Sequence, residues 1–191
     1  MNVLKQRILA EGLNMGHGIL KIDSFLNHQL DVKLMEQVGG EIGERFTHCQ
    51  PNRILTAEVS GIVPAAMAAK ALDNIPVVYA RKHKPITMSE PVYVEVAPSH
   101  TKGSDVNLMV SPEFLTAGDN VLIVDDFLAS GKTIEALARI VQNAGANLVG
   151  IAVVVEKRFE GGRDALRHWA VPIEAIAEIT EMSGSEIIFA E

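Results

Sequence analysis

The run VLIVDDFLASGKTIEALARIVQNAG, residues 121–145, constrains this chain more than any other stretch. Val121 to Val124 are apolar without interruption, which is how a strand reads when both of its faces are buried. Two acids end the strand, small residues turn the chain, and Ile134, Leu137, Ala138 and Val141 then return at helical spacing. The same unit recurs along the chain. ILTAE (54–58) reads as a strand, IVPAAMAAKAL (62–72) as a helix, and IPVVYA (75–80) and LVGIAVVVE (148–156) as strands. Apolar strands separated by single helices predict an α/β fold, with a mostly parallel sheet flanked by helices.

The remainder fits around that core. Val3, Leu4, Ile8 and Leu9 predict a short amphipathic helix ending near Gly12, and Leu34, Val38, Ile42 and Phe46 mark a second helix. Residues 81–111, rich in Pro, Ser, Thr, Lys and His, break the alternation and read as a hairpin or a mobile functional loop. A length of 191 residues suits a single domain, 1–191, with no linker or repeat. A net charge of −7 argues against a protein that reads nucleic-acid backbones. The lone Cys49 reads as a small apolar side chain in a reducing cytosol. With neither a signal peptide nor a membrane span in the sequence, the expected location is cytoplasmic.

The chemistry concentrates in DDFLASGKT. Gly131-Lys132-Thr133 ends like a nucleoside-triphosphate loop, but the position of that loop's first glycine holds Asp126, with Asp125 beside it. Open α/β sheets bind ligands beyond the carboxyl ends of their strands. A helix N-terminus offers unpartnered amides and a positive dipole end, so Ala129, Ser130, Gly131, Lys132 and Thr133 make a cradle for a monophosphate. A triphosphate would be repelled by the two acids unless a metal intervened. A ribose 5-phosphate suits them, with its phosphate in the cradle and its 2′- and 3′-hydroxyls on Asp125 and Asp126.

Strand, acid pair and hydroxyl-rich helix entry together resemble the phosphoribosyl-pyrophosphate motif of the type I phosphoribosyltransferases. ILKIDSFLNHQ (19–29), ARKHK, DDFLASGKT and VVEKRFEGGRD follow the order and spacing of the xanthine-using bacterial branch of the purine enzymes. The resemblance implies a type I phosphoribosyltransferase fold whose N-terminal segment, about 1–35, forms a hood over the purine. It implies that Asp125 and Asp126 are the catalytic acids, that 129–133 bind the donor, and that Leu20, Asn27 and Lys157 contact xanthine. Ser60 and Gly61 match the pyrophosphate loop, and Arg81, Lys82 and Lys84 could neutralise the leaving pyrophosphate. Hypoxanthine–guanine relatives carry an aspartate where this chain has Ala129, which disfavours those bases without separating xanthine from adenine. The implied cofactor is Mg²⁺, held mainly by substrate oxygens with no dedicated protein ligands. The implied partners are xanthine, phosphoribosyl pyrophosphate and a second copy in a homodimer, with no nucleic acid or membrane. An enzyme for adenine or another purine remains an alternative, as does a non-enzymatic regulator that senses the donor.

Overall fold

In the computed structural model, which describes residues 2–98, 105–184 and 186–190, the alternation of the sequence becomes a six-stranded sheet. Helix α1 (Val3–Glu11) leads into two short paired segments, β1 (Leu13–Asn14) and β2 (Leu20–Lys21), and then a π-helical turn at Asp23–Asn27. Helix α2 (Val32–Phe46), strand β3 (Arg53–Ala57), helix α3 (Ile62–Ala71) and strand β4 (Val77–Ala80) follow. Strands β5 (Tyr93–Pro98) and β6 (Asp105–Val110) pair as an antiparallel hairpin. The second half is β7 (Asn120–Leu128), α4 (Lys132–Asn143), β8 (Asn147–Lys157), a short α5 (Gly162–Ala165), β9 (Ile173–Ser183) and β10 (Glu186–Phe189).

The sheet order is β10–β9–β8–β7–β3–β4, parallel except for the edge strand β10. Alternate side chains of each central strand enter different cores, which explains the uninterrupted apolar runs. Leu122 and Val124 pack with α2 and α3 on one face, while Val121 and Ile123 pack with Ile134, Leu137 and Val141 of α4 on the other. Each such side chain, fully enclosed, contributes roughly 1.5–3 kcal/mol. The hairpin belongs to the α4 face, through Ala97, Leu108 and Val110. It is also tied to the basic run, because Arg81 and Met109 exchange two backbone hydrogen bonds of 2.9 Å. Residues 99–104 of the 81–111 excursion lie outside the described residues.

Three expectations need adjustment. In α1 only Leu4 and Ile8 turn inward, since four-residue spacing puts them on one face and leaves Val3 and Leu9 about half exposed. Cys49 is half-buried against the core rather than enclosed, and that burial pushes its thiol pKa up. The strands β9 and β10 add a third of the sheet that the alternation did not reveal. No helix among the described residues is long and apolar enough to cross a membrane.

Candidate active site

Strands β3 and β7 pair in parallel, with Leu55 beside Ile123, so the loops leaving their carboxyl ends face one another. Between them lies a cleft of about 280 Å³. Glu58, Ser60 and Gly61 line it from β3, Asp125, Asp126 and Phe127 from β7, Thr133 from α4 and Lys82 from the run after β4. The peptide bond between Glu58 and Val59, beside the cleft, is cis.

The two acids differ in setting. Asp125 is buried, and its Oδ1 accepts the backbone N–H of Asp126 at 3.1 Å. Burial, followed by repulsion from Asp126, holds its carboxyl well above the usual range, while nearby Lys82 works in the opposite direction. Asp126 is only half-buried. Its Oδ1 accepts the N–H of Phe127 at 2.9 Å, and its Oδ2 accepts the side-chain amide of Asn27 at 2.8 Å.

The cradle is built on backbone. Gly131 takes φ +81°, a left-handed conformation that a side chain would strain, and caps α4. The first helical bond runs from Glu135 N–H to Gly131 O at 2.8 Å, so the amides before it face out of the helix end. A second loop braces this turn from behind, with Gly162 N–H donating to Ala129 O at 2.9 Å. A Cβ at Gly162 would stand 2.2 Å from that carbonyl oxygen, so glycine is needed for the approach. Arg163, next along, donates through Nε to both oxygens of buried Glu156, at 2.9 and 3.0 Å, and through Nη1 to Ile173 O at 2.6 Å. The bracing loop is thereby fastened to β8 and to the start of β9.

The basic run is held by side chains. Arg81 Nε lies 2.8 Å from Glu58 Oε2, and Lys82 N–H donates to Glu58 Oε1 at 2.6 Å. Arg81 itself lines a separate, more apolar groove of about 320 Å³ between β4 and the hairpin. Lys84 pairs with Glu90 and does not line the cleft. On the opposite side, Lys157 Nζ donates to Gly18 O at 2.9 Å, lies 2.5 Å from Glu160 Oε1 and sits 5.9 Å from the centre of the Phe127 ring. Leu20 is almost enclosed, whereas Asn27 is exposed above Asp126.

Of the residues expected from the sequence, Ser60, Gly61, Lys82, Asp125, Asp126 and Thr133 therefore meet in one cleft. Asn27 joins them through Asp126, and Lys157 through Phe127. Lys132 is exposed on the first turn of α4, and Arg81 and Lys84 are occupied by carboxylates. Phe127, Glu58 and Gly162 were not expected. Phe127 lies inside the quoted motif, and the glycine pair of EGGRD was the visible trace of the brace.

No group of three or more His, Cys, Asp or Glu among the described residues is arranged to hold a metal ion. The cleft's carboxylates are hard oxygen donors, which suit an ion such as Mg²⁺ that keeps water and ligand oxygens for most of its shell.

A parallel sheet with acids at the end of a central strand and a helix-entry loop beyond them defines an α/β protein with its cleft at the carboxyl ends of the strands. The chain belongs to the phosphoribosyl transferase domain family, whose model matches residues 33–178. It is similar over nearly its whole length to named xanthine phosphoribosyltransferases. That of Leuconostoc mesenteroides is 43% identical over 189 residues, 99% of this chain and 100% of the relative. That of Listeria monocytogenes is 40% identical over 191 residues, 100% of this chain and 99% of the relative. The N-terminal segment, outside the family model, is thus covered by these relatives. Among solved structures, the Giardia lamblia adenine phosphoribosyltransferase complexed with 9-deazaadenine has a TM-score of 0.77 at 17% identity, covering 95% of this chain and 100% of that one. The Trypanosoma brucei enzyme, in complex with AMP, pyrophosphate and ribose-5-phosphate, has a TM-score of 0.72 at 19% identity, covering 97% and 88%. These neighbours show the same fold.

Proposed function

We propose that the protein transfers the 5-phosphoribosyl group from phosphoribosyl pyrophosphate to N9 of xanthine. The products are xanthosine 5′-monophosphate and pyrophosphate, a purine-salvage step in the cytoplasm. The observation that carries this reading is the acid pair at the end of β7, standing between the helix-entry loop and the Phe127–Lys157 corner. One cleft then offers a place for each part of the donor and for a planar base.

Residues 129–133 hold the 5-phosphate through backbone amides and the hydroxyls of Ser130 and Thr133. Asp126, with Asp125 behind it, accepts from the ribose hydroxyls. Ser60, Gly61 and Lys82 receive the pyrophosphate, and Arg81 and Lys84 contribute once released from Glu58 and Glu90. The purine lies against Phe127 with its carbonyls toward Lys157, under a hood of about residues 1–35 that includes Leu20 and Asn27. Mg²⁺, bound chiefly through pyrophosphate and ribose oxygens, would supply charge neutralisation as the pyrophosphate leaves. Bond breaking at C1′ ahead of bond making gives an oxocarbenium-like transition state, stabilised by positioning and electrostatics. The chain acts as one domain in a homodimer, with Arg81 or Lys82 reaching the neighbouring site.

Pyrophosphate release measured with xanthine, guanine, hypoxanthine and adenine in parallel tests the reading. Xanthine is expected to be the fastest. Faster release with adenine would overturn the base assignment, and donor binding without release on any purine would make the protein a regulator.

A further inference from the structure

We infer that Asn27 is a positioning residue for Asp126, and that it acts on the phosphoribosyl donor through that carboxylate. This rests on the proposed reading that Asp126 meets the ribose hydroxyls. The resemblance assigned Asn27 to the purine alone; its contact in the structure is the acid.

Two amide donors from different parts of the chain hold the Asp126 carboxylate, which also hydrogen-bonds with the Asp125 side chain. Phe127 N–H holds Oδ1 at 2.9 Å from within β7, and Asn27 Nδ2 holds Oδ2 at 2.8 Å from the π-helical turn. A carboxylate only accepts, so the amide nitrogen must be the atom that faces it. Each carboxylate oxygen can accept about two hydrogen bonds. One amide donor on each oxygen sets the carboxylate plane, and the acceptor capacity that remains toward the cleft suits sugar hydroxyls. With Asn27 removed, only Asp125 and Phe127, its neighbours in β7, would hold the group, and Oδ2 would lose its amide partner.

The turn carrying Asn27 is itself fixed. Phe25 and Leu26 beside it are buried in the core, Gln29 N–H closes onto Asp23 O at 2.7 Å, and Asp31 N–H closes onto Phe25 O at 3.1 Å. The same segment is held at its start by Lys157 Nζ on Gly18 O, 2.9 Å. Asn27 is exposed, so truncating it opens no cavity in the core. Its loss should change the site and leave the fold intact.

The test is a double-mutant cycle read by calorimetric binding of phosphoribosyl pyrophosphate with Mg²⁺ in the absence of purine. Asn27→Ala should weaken donor binding by about five- to tenfold, somewhat less than outright loss of a hydrogen bond to a charged group. Asp126→Ala should weaken it at least as much, and the double variant should match Asp126→Ala within about twofold, because the amide acts through the acid. A second readout is Asn27→Asp, which puts a like charge beside Asp126; donor affinity should recover as pH falls and one carboxyl is protonated. Unchanged donor binding in Asn27→Ala, fully multiplicative losses in the double variant, or a flat pH profile for Asn27→Asp would overturn the inference. Normal donor binding by Asp126→Ala would instead sink the ribose assignment on which it rests.

Discussion

The cradle at 129–133 and the basic run at 81–84 reach the cleft through Thr133 and Lys82, yet they are held in opposite ways. Behind the cradle the contacts are backbone or buried: Gly162 N–H on Ala129 O, and Arg163 on a Glu156 side chain only 1% exposed. Around the basic run they are ion pairs nearer the surface, Arg81 with Glu58 and Lys84 with a Glu90 side chain 68% exposed. The cradle is therefore shaped before any ligand arrives, and binding a phosphate there costs little reorganisation. Arg81 and Lys84 must first exchange a carboxylate for a phosphate, which costs little at the exposed Glu90 pair and more at Glu58, whose side chain is mostly buried. The difference matches the proposed chemistry. The 5-phosphate stays on the enzyme from donor to product, whereas the pyrophosphate must leave.

Four substitutions bear on this contrast. Arg163→Met should have the largest effect, since it strands Glu156 as an unpaired buried charge. Stability by denaturant unfolding should fall by about 3–5 kcal/mol, and a loss below about 1 kcal/mol would put the brace in the same class as the surface pairs. Gly162→Ala should come next. Its Cβ would meet the Ala129 carbonyl, so the cradle must move, and kcat/KM should drop by about a hundredfold, the scale of an ångström-sized misplacement. Wild-type kinetics in that variant would detach the brace from the cradle.

Asp125→Asn tests the acid where the two regions meet. It should lower turnover by about tenfold, measured at saturating substrates. It should also raise the melting temperature at neutral pH. The folded-state pKa of Asp125 is raised by burial and by Asp126, so the wild-type protein loses stability as pH climbs from the unfolded value toward the folded one. Below the unfolded value, about 3.9, Asp125 is protonated in both states and the variant's advantage should vanish. An advantage that persists there would mean the gain is not electrostatic. The smallest effect belongs to Lys84→Ala, with a stability change under about 1 kcal/mol. Its donor KM should rise about threefold, with that rise fading at high salt. A hundredfold rise would show the basic run to be as fixed as the cradle.

Where the sequence was legible, one local pattern had one structural solution. The strand–turn–helix at 120–143 and the four-residue spacing of α2 allowed no competing period. In β9, IEAIAEITEMS puts Glu174 and Glu178 four apart, a spacing that suits a helix as well as a strand. Its strand form rests on parallel pairing with β8, and Arg45 and Arg158 reach those two glutamates from other elements. The acid pair and cradle could be read because they are contiguous. The contact of Asn27 with Asp126 could not, because nothing local in DSFLN specifies a partner across the chain. Lys84 shows the converse, since a cation in the right stretch was drawn to Glu90.

The order of the strands also carries a kinetic consequence. The unit β3–α3–β4 bears residues 58–61, and the unit β7–α4–β8 bears residues 125–133; each closes through a single helix. The pairing of β3 with β7, across the entire hairpin excursion, brings the two sets of residues together. Contacts between distant parts of a chain pay the larger loop-closure entropy and form slowly. Neither unit holds a complete ligand site, so during refolding far-ultraviolet circular dichroism should recover before donor binding does. If the two recover together, docking of the units is not a separate late step.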